Sequence, residues 1–347
     1  MRRDEKSREV TVPMRNCVVD DSHDAARRLF VKKACDVYEC PTCGCLMADV
    51  DFDHHQYEAN TYYSMIHDTR EDIEKEWGVR WRYILNKIIE RRRSPSLLDV
   101  GAGNGYFIAL AVGEFALRAK GIEISEREIQ FAKDVLGIQL INENITQHVM
   151  QYDVVTCFNV IEHVVNPKLF LSALVQRVNP GGMLVITTPN PACIHVRVKG
   201  LRRWNMIDPP HHINLFTRKS LTALIQSNNL EELHYGTLST YINFVRSIDS
   251  RSMLLKRLFF HFLRILNLGA DHLLILGKPS GPGASPTPRR AAKALGKAAS
   301  VAGSRLPGPQ LRNVTVAKFG QDGFGQTDPN RSWCRARRLW RRPDERP

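Results

Sequence analysis

A segment of eleven residues, LLDVGAGNGYF at positions 97–107, has the composition of a ligand-binding loop. An apolar run ends in it at Asp99 and Val100, and three glycines follow at alternate positions. They are Gly101, Gly103 and Gly105. Glycine lets the backbone turn tightly and pass close to a ligand, where a side chain would block the approach. The segment therefore predicts a nucleotide-binding loop, and the residues around it must decide which nucleotide it holds.

Two common nucleotide loops are excluded by the residues that follow these glycines. A dinucleotide-binding loop has the pattern G-x-G-x-x-G/A, in which the last small residue lets the helix close on the strand. Counted from Gly101 that position holds Tyr106, and counted from Gly103 it holds Ile108. A Walker loop needs a Lys-Ser or Lys-Thr pair after its glycines, and none follows here.

A second group of polar side chains lies farther along the chain. Asn159, Glu162 and His163 follow an apolar run, and His212 lies in the segment DPPHHINLF. Open α/β sheets bind ligands beside the carboxyl ends of their strands, so these positions are candidates for the reacting side of a site. His163 is a candidate general base because imidazole titrates near neutrality, with an orienting or helix-capping role as the alternative.

The elements that position these residues alternate between apolar strands and helices from Leu97 onward. An amphipathic helix precedes them, ending before Ser94, and capping residues start later helices at Ser125 and Asn166. This alternation predicts an α/β fold, a Rossmann-like seven-stranded mostly parallel sheet with helices on both faces. The predicted strands are SLLDV, AKGIEI, IQLI, YDVVTCFN, MLVITT, EELHYGT and HLLILG.

The loop LLDVGAGNG resembles the first motif of the class I S-adenosylmethionine (SAM) methyltransferases. The resemblance covers about residues 95–278 and includes YDVVTCFNVIEHVVNP, VNPGGMLVITTPN and GADHLLILGK. The Glu-His-Val triplet after the fourth strand is similar to the small-molecule branch that includes the ubiquinone-pathway O-methyltransferases. The segment Asn159-Val160-Ile161-Glu162 lacks the Asp/Asn-Pro-Pro-Tyr/Phe pattern of enzymes that methylate exocyclic or amide nitrogens.

The resemblance implies how a SAM molecule would be held. Asp99 would take its amino group directly or through water, and Glu123, 22 residues after Gly101, would bind the ribose diol with both carboxylate oxygens. The adenine would lie near Glu143, Asn144 and Ile145. The expected cofactor-binding residues are Asp99, Gly101, Ala102, Gly103, Gly105, Tyr106, Glu123, Ile124, Asn144 and Asn159.

The resemblance also implies three candidate catalytic residues, which are His163, Glu162 and His212. Glu162 lies in a region that is linked to a divalent cation in the ubiquinone-pathway enzymes, so a metal-ligand role is one interpretation. His212 and Phe216 match a Pro-x-His-x-x-x-Phe pattern of related enzymes, with packing as the alternative.

The cysteines cluster near the N-terminus, where Cys40-Pro-Thr-Cys43-Gly has the spacing of half a zinc knuckle. The earlier half reads Cys17-Val-Val-Asp20, and His23 follows. We expect a structural zinc ligated by Cys17, Cys40 and Cys43 with Asp20 or His23 as the fourth ligand, while a knuckle that holds no metal is the alternative.

Charge divides the chain into a nearly neutral body and a basic end. The net charge is +13, of which residues 278–347 carry +11 and the rest +2. We expect a cysteine-rich segment at 1–66, a methyltransferase domain at 67–278 and a disordered Pro/Gly/Ala/Arg-rich tail at 279–347. The neutral body does not suggest a nucleic-acid groove, although the tail could make weak contact with one.

The leading hypothesis is a cytoplasmic SAM-dependent methyltransferase that acts on a small molecule, at a hydroxyl oxygen. We find no apolar run long enough to span a membrane and no signal peptide. Two alternatives stay open, a nucleic-acid or protein methyltransferase that docks through the tail, and a methyltransferase fold kept only as a binding module.

Overall fold

A computed structural model describes residues 15–50, 69–239 and 262–281 of the 347-residue chain. Strands and helices alternate through its central part. The strands are β1 (Arg27–Lys32), β2 (Cys35–Glu39), β3 (Leu46–Ala48), β4 (Ser96–Val100), β5 (Arg118–Glu123), β6 (Ile141–Asn142), β7 (Tyr152–Phe158), β8 (Val178–Pro189), β9 (Asn214–Leu215), β10 (Glu231–Leu238) and β11 (Asp271–Gly277). The helices are α1 (Arg70–Ile73), α2 (Val79–Ile89), α3 (Tyr106–Gly113), α4 (Glu126–Leu136), α5 (Pro167–Arg177), α6 (Ile194–Lys199) and α7 (Arg218–Ser227).

Seven strands form one sheet in the order β10-β11-β8-β7-β4-β5-β6. Strands β4 to β8 pair in parallel, whereas β11 runs antiparallel to both β8 and β10. Every core position of β4 from Leu97 to Val100 is buried, as a strand covered on both faces requires. The seven-stranded, mostly parallel α/β fold predicted from the sequence is confirmed.

Side-chain caps start several of the described helices, two of them at Ser125 and Asn166 as predicted from the sequence. Ser125, Asn166 and Thr217 each accept a hydrogen bond from a backbone N–H in the first turn of α4, α5 and α7. Such a cap satisfies a donor that has no partner within the helix. Helices α4 and α5 follow the ends of β5 and β7, so their caps fix two loops at the carboxyl edge of the large sheet.

The local structure departs from the sequence pattern at three places. Helix α3 ends at Gly113, although apolar residues continue to Leu117, because the chain leaves it through Ala116 in a left-handed conformation (φ 52°). The third strand is two residues at an exposed edge, one to three residues later than IQLI. The helix before β4 contains a π-helical turn, Glu74–Gly78, between α1 and α2.

The cysteine-rich segment folds as a second sheet, of order β1-β2-β3-β9. Its last strand comes from the loop that carries His212, because Leu46 pairs with Leu215 and Met47 pairs with Asn214. Buried residues of the segment, among them Tyr38 and Met47, share a hydrophobic cluster with Val100 and Val155 of the large sheet. This sheet was not predicted from the sequence.

Among the described residues, we find no helix with the length and apolarity needed to cross a membrane. All but the first three residues of the predicted tail at 279–347 lie outside the described part of the chain. The same holds for residues 1–14, 51–68 and 240–261.

Candidate functional site

The glycine loop lies at the carboxyl end of β4, against the end of the neighbouring strand β5. The backbone N–H groups of Gly101 and Ala102 both donate to the Ile122 carbonyl at 3.0 Å. Asp99 pairs with Gly121, so the loop begins beside the last residues of β5. The two acidic residues predicted for one cofactor, Asp99 and Glu123, therefore lie at adjacent strand ends.

Glu123 joins the loop to the end of β5 through both carboxylate oxygens. Its Oε2 accepts from Gly103 N at 2.8 Å, and its Oε1 accepts from Ile124 N at 2.8 Å and Ser125 N at 3.0 Å. Hydrogen bonds to an ionised carboxylate are about twice as strong as those between neutral groups. The side chain is half-buried and fixed in place, so its oxygens are oriented before a ligand arrives.

Gly101 and Gly103 have left-handed backbone conformations but different surroundings. At Gly101 (φ 70°) an added Cβ would lie 2.5 Å from Val160 Cγ2, whereas at Gly103 (φ 52°) it would meet no described atom within 4 Å. Glycine is therefore required at position 101 because any side chain would collide with Val160. Gly103 faces open space, as expected where a ligand passes the loop.

This difference makes a testable prediction for two alanine variants. Gly101→Ala should lower the free energy of unfolding by about 2–4 kcal/mol, since it adds a clash to an unfavourable φ. Gly103→Ala should cost only about 1–2 kcal/mol in stability, yet weaken SAM binding at least about tenfold because its methyl group enters the ligand space. Denaturant unfolding and calorimetric titration measure the two effects. Unchanged SAM affinity in Gly103→Ala would contradict this interpretation of the open space.

Asp99 is buried at the base of the loop, with 2% of its surface exposed. Its Oδ1 accepts a hydrogen bond from Thr156 Oγ1 of β7 at 2.6 Å. Burial raises the pKa of Asp99 to about 8, and the nearby negative charge of Glu123 acts in the same direction. A positively charged group that entered the site would stabilise the ionised carboxylate and reverse this shift.

The other predicted cofactor residues differ in what their side chains do. Asn144 is exposed just after β6, where its Oδ1 accepts from the N–H and hydroxyl of Thr146. Ala102 is buried in the loop, and Ile124 is half-buried beside it. The Tyr106 ring is 1% exposed, and its hydroxyl donates to Glu74, so only its backbone borders the loop.

Asn159 belongs to a polar network that sequence reasoning missed. Its Oδ1 accepts from Thr187 Oγ1 at 2.6 Å and from Arg80 at 3.4 Å, and its Nδ2 donates to Asp271 at 3.4 Å. Arg80 and Asp271 form a buried ion pair at 2.5 Å. The Arg80 guanidinium also lies over the rings of Trp77 and Trp81. The network fastens helix α2 to the carboxyl edge of the sheet.

The three predicted catalytic residues come together at that edge, beyond the end of β7. Glu162 is fully buried, and its Oε2 accepts from Thr188 Oγ1 at 2.9 Å while its Oε1 has no hydrogen-bond partner. His163 and His212 pack edge to face, with ring centroids 4.8 Å apart. Burial raises the pKa of Glu162 to about 8 and lowers that of His163 to about 3.

Backbone carbonyls fix the tautomers of the two histidines. His163 Nδ1 donates to the His211 carbonyl at 2.9 Å, and His212 Nδ1 donates to the Met206 carbonyl at 2.7 Å. Because a carbonyl oxygen only accepts, each Nδ1 carries the hydrogen and each Nε2 carries the lone pair. Burial lowers the pKa of His212 as well, so both rings are neutral bases near neutrality.

This group also fits a divalent cation. One donor atom each of Glu162, His163 and His212 lie within 4.8 Å of one another, and all three side chains are buried. A carboxylate and two imidazoles held by hydrogen bonds at Nδ1 are an ordinary ligand set for a first-row metal. The unpartnered Glu162 oxygen is the observation that favours a ligand there.

The predicted metal-ligand residues of the N-terminal segment also come together. Cys17, Cys40 and Cys43 cluster with His23, and the four donor atoms lie within 4.8 Å of one another. The hydrogen bond from Cys43, together with one from His23, lowers the pKa of the Cys17 thiol to about 4. Asp20, the other candidate for the fourth ligand, instead accepts from Ser22 N and Oγ.

Comparison with known proteins supports this account of the fold. Residues 70–235 match the family model of a methyltransferase domain. A ubiquinone biosynthesis O-methyltransferase of Klebsiella pneumoniae is 28% identical over 177 residues, covering 46% of this chain and 73% of that protein. The enzyme of the same name from Coxiella burnetii is 27% identical over 189 residues, covering 49% and 80%.

A solved SAM-dependent methyltransferase from Archaeoglobus fulgidus is 20% identical, with a TM-score of 0.44, and covers 59% of this chain and 97% of its own. The matched domain contains the glycine loop, both acidic strand ends and the Glu162–His163 turn. The match to the family model and to the two curated relatives supports a class I SAM-dependent methyltransferase domain at residues 70–235, with SAM as the methyl donor.

Proposed function

We propose that the enzyme transfers the methyl group of SAM to a hydroxyl oxygen of a small molecule. The observation that carries the proposal is the Glu162 carboxylate, buried beyond the end of β7 with one oxygen unpartnered. Strand β7 is the direct neighbour of β4, which carries Asp99 at the donor loop. An acceptor beside Glu162 would thus lie next to the donor. The two curated relatives are named as O-methyltransferases, which favours oxygen as the methylated atom.

The donor is held by the residues at the ends of β4 and β5. Asp99 takes the ammonium group of the methionine part, and Glu123 accepts hydrogen bonds from the ribose diol. Gly103 lets the loop pass close to the ligand, and the exposed Asn144 borders the adenine. The oxygens of Glu123 are already fixed by three backbone donors, so little side-chain entropy is lost on binding.

The acceptor is aligned and deprotonated by the residues after β7. Methyl transfer is an in-line displacement at a sulfonium, so alignment and exclusion of water dominate the catalysis. A hydroxyl acceptor must also lose its proton, and Glu162 Oε1 is a buried acceptor without a partner. Asn159 and the two histidines orient the acceptor. A divalent cation bound by Glu162, His163 and His212 would polarise the acceptor oxygen as a Lewis acid.

Burial supports a small acceptor over a macromolecular one. Glu162, His163 and His212 expose 0%, 5% and 6% of their surfaces. A group that reaches them must enter an enclosed site, which suits a hydroxyl on a small molecule better than a folded chain. A cytoplasmic location is part of the proposal, since the described cysteines are free thiols, which a reducing compartment preserves.

Labelled SAM incubated with a panel of phenols, catechols and aliphatic alcohols tests this proposal. We expect label in a low-mass ether product, and equal turnover after removal of residues 282–347. If turnover required that tail and fell steeply with salt, the enzyme would instead act on a nucleic acid or acidic protein.

The pH dependence of SAM affinity gives a further prediction for Asp99. If the ionised carboxylate binds the ammonium group, a protonated Asp99 must first lose its proton, so affinity should rise with pH toward the pKa of about 8. We expect an increase of about tenfold per pH unit from about pH 5.5 to 7.5, below the range in which an α-amino group loses its proton. Calorimetry in buffers of different ionisation enthalpy would show the proton release.

The control is Asp99→Asn, which should bind SAM weakly and with an affinity that does not rise between about pH 5.5 and 7.5. Glu128 is another carboxyl whose pKa the charge of Glu123 raises, and burial, the larger cause, brings that pKa to about 7. A slope that survives in Asp99→Asn and disappears in Glu128→Gln would contradict the role given to Asp99.

A further inference from the structure

Four donor atoms of the cysteine-rich segment form a cluster that methyl transfer does not use. They are Cys17 Sγ, His23 Nδ1, Cys40 Sγ and Cys43 Sγ. We propose that these four side chains bind one zinc ion, and that this zinc, acting through strand β3, fixes the strand β9 that forms one wall of the acceptor site.

The distances within the cluster match the edges of a zinc tetrahedron. Cys17 Sγ lies 3.6 Å from Cys43 Sγ, and His23 Nδ1 lies 3.4 Å from Cys17 Sγ and 3.7 Å from Cys40 Sγ. Zn–S bonds of about 2.3 Å and a Zn–N bond of about 2.05 Å require S–S edges of about 3.8 Å and N–S edges of about 3.5 Å. Each of these three distances agrees to within about 0.2 Å, and all four donor atoms lie within 4.8 Å of one another, so the cluster has the size of a zinc site.

The backbone around the thiols has the form of a metal knuckle. Cys43 N donates to Cys40 Sγ at 3.5 Å, and Val19 N donates to Cys17 Sγ at 3.4 Å. These donors stabilise negative charge on the sulfurs. Gly44 follows with a φ of 72°, which turns the chain back so that Cys40 and Cys43 face one point. Three thiolates and an imidazole are a closed ligand set, so the zinc is structural rather than catalytic.

His23, rather than Asp20, is the fourth ligand. Asp20 Oδ1 accepts from Ser22 N at 2.9 Å and from Ser22 Oγ at 2.8 Å, which fixes its carboxylate in a local turn. His23 is half-buried, and its Nδ1 faces two of the sulfurs.

Direct contacts lead from the cluster to β9. The Cys43 carbonyl accepts from Thr217 Oγ1 at 2.6 Å, just after β9. Strand β3 begins three residues after Cys43 and pairs with β9 through Leu46–Leu215 and Met47–Asn214. The knuckle therefore holds β9 from one side.

On the side opposite β3, Ile213 and Asn214 at the start of β9 hold the turn that carries Glu162. Ile213 N donates to the Glu162 carbonyl at 3.0 Å, and Asn214 Nδ2 donates to the Val164 carbonyl at 2.7 Å. A two-residue strand has few bonds of its own, so its position depends on the partner that orders it. Loss of zinc should loosen β9 and this turn while leaving the donor loop unchanged.

Metal content measured by elemental mass spectrometry tests the first half of the proposal. The full-length protein should hold about one zinc per chain, and Cys40→Ser and His23→Ala should each hold below about 0.2. The matched controls Cys35→Ser and Asp20→Asn should keep about one ion per chain. A wild-type protein without bound metal, one with a Cys17–Cys43 disulfide, or a His23→Ala variant that keeps its zinc would overturn the ligand assignment.

Hydrogen exchange tests the second half without an identified acceptor. The Asn214→Ala variant should keep its zinc and its SAM affinity, yet the Ile213 amide should exchange at least about tenfold faster than in the wild type. Removal of zinc by a chelator should speed exchange of the Ile213 amide in the wild type by a similar factor. The exchange rates of the Gly101 and Ala102 amides in the donor loop should not change. Equal protection of the Ile213 amide in the untreated and the chelated wild type would overturn the coupling, whatever the Asn214→Ala variant shows. The name acceptor site rests on the proposed function. Zinc content and hydrogen exchange are measured without an acceptor, so the zinc proposal and the proposed function can fail separately.

Discussion

Replacing Glu162 by Gln should lower the rate of methyl transfer by about 10²–10⁴, the range expected when a positioned proton acceptor is removed. Glutamine keeps the size of the side chain and can still accept from Thr188 Oγ1, which lies 2.9 Å from the carboxylate. It cannot take the proton of a hydroxyl acceptor at Oε1, nor supply a charged metal ligand. The measurement is a single-turnover rate with saturating SAM and acceptor.

SAM affinity is the control for this variant, because Glu162 lies one strand away from the donor residues. It should stay within about twofold of the wild-type value. Thr188→Val gives a graded comparison, since it removes the hydrogen bond from Thr188 Oγ1 to Glu162 Oε2 and keeps the carboxylate. It should cost about tenfold. A Glu162→Gln enzyme with the wild-type rate would show that the proton leaves by another route.

Replacing Glu123 by Ala should weaken SAM binding by about 10²–10⁴. Two hydrogen bonds to a charged group are each worth about 1.5–3 kcal/mol, and 1.4 kcal/mol is a factor of ten in affinity. The substitution also leaves the Gly103, Ile124 and Ser125 amides without their acceptor, so the loop loses its fixed shape. Calorimetric titration with SAM measures the loss.

The matched control is Glu126→Ala, the same change three residues later at an exposed position. It should leave SAM affinity within about twofold of the wild type, because an exposed charge outside the site contributes little. If the two variants bound SAM equally well, Glu123 would have no special role in holding the donor.

The donor half of the site could be predicted from the sequence because its determinants are local. The apolar run, the glycines and the next strand end lie within 27 residues, and the fold brings adjacent parallel strands to one edge. Gly101 and Gly103 both have the left-handed backbone that a glycine loop implies. Gly101 lies against Val160, and Gly103 lies beside open space. Asp99 and Glu123 accordingly come to neighbouring strand ends.

The site residues that the sequence did not predict are those whose partners are far away along the chain. Arg80 and Asp271 are 191 positions apart, so no local pattern pairs them. A signal was present, since Arg80 lies between Trp77 and Trp81 on the apolar face of a helix, where a charge needs a buried partner. Asp271 begins an antiparallel last strand, which places it at the same edge as the ends of the parallel strands.

The second sheet could not be predicted for a related reason. Strand β9 has only two residues, and its pairing with β3 depends on how the chain returns after more than 160 positions. The choice between Asp20 and His23 as fourth zinc ligand also stayed open in the sequence, because both lie at suitable spacing. The turn at Ser22 separates them in the structure.

The most direct test of the account is the fate of a labelled methyl group when the enzyme is given labelled SAM and a protein-free, nucleic-acid-free metabolite extract. The account predicts label in a small, alkali-stable ether that passes a low-mass filter, and at least about a hundredfold less label when Glu162 is replaced by Gln over the same time. No enzyme-dependent transfer to this extract, or transfer only in a parallel reaction to which protein or nucleic acid has been added, would contradict it.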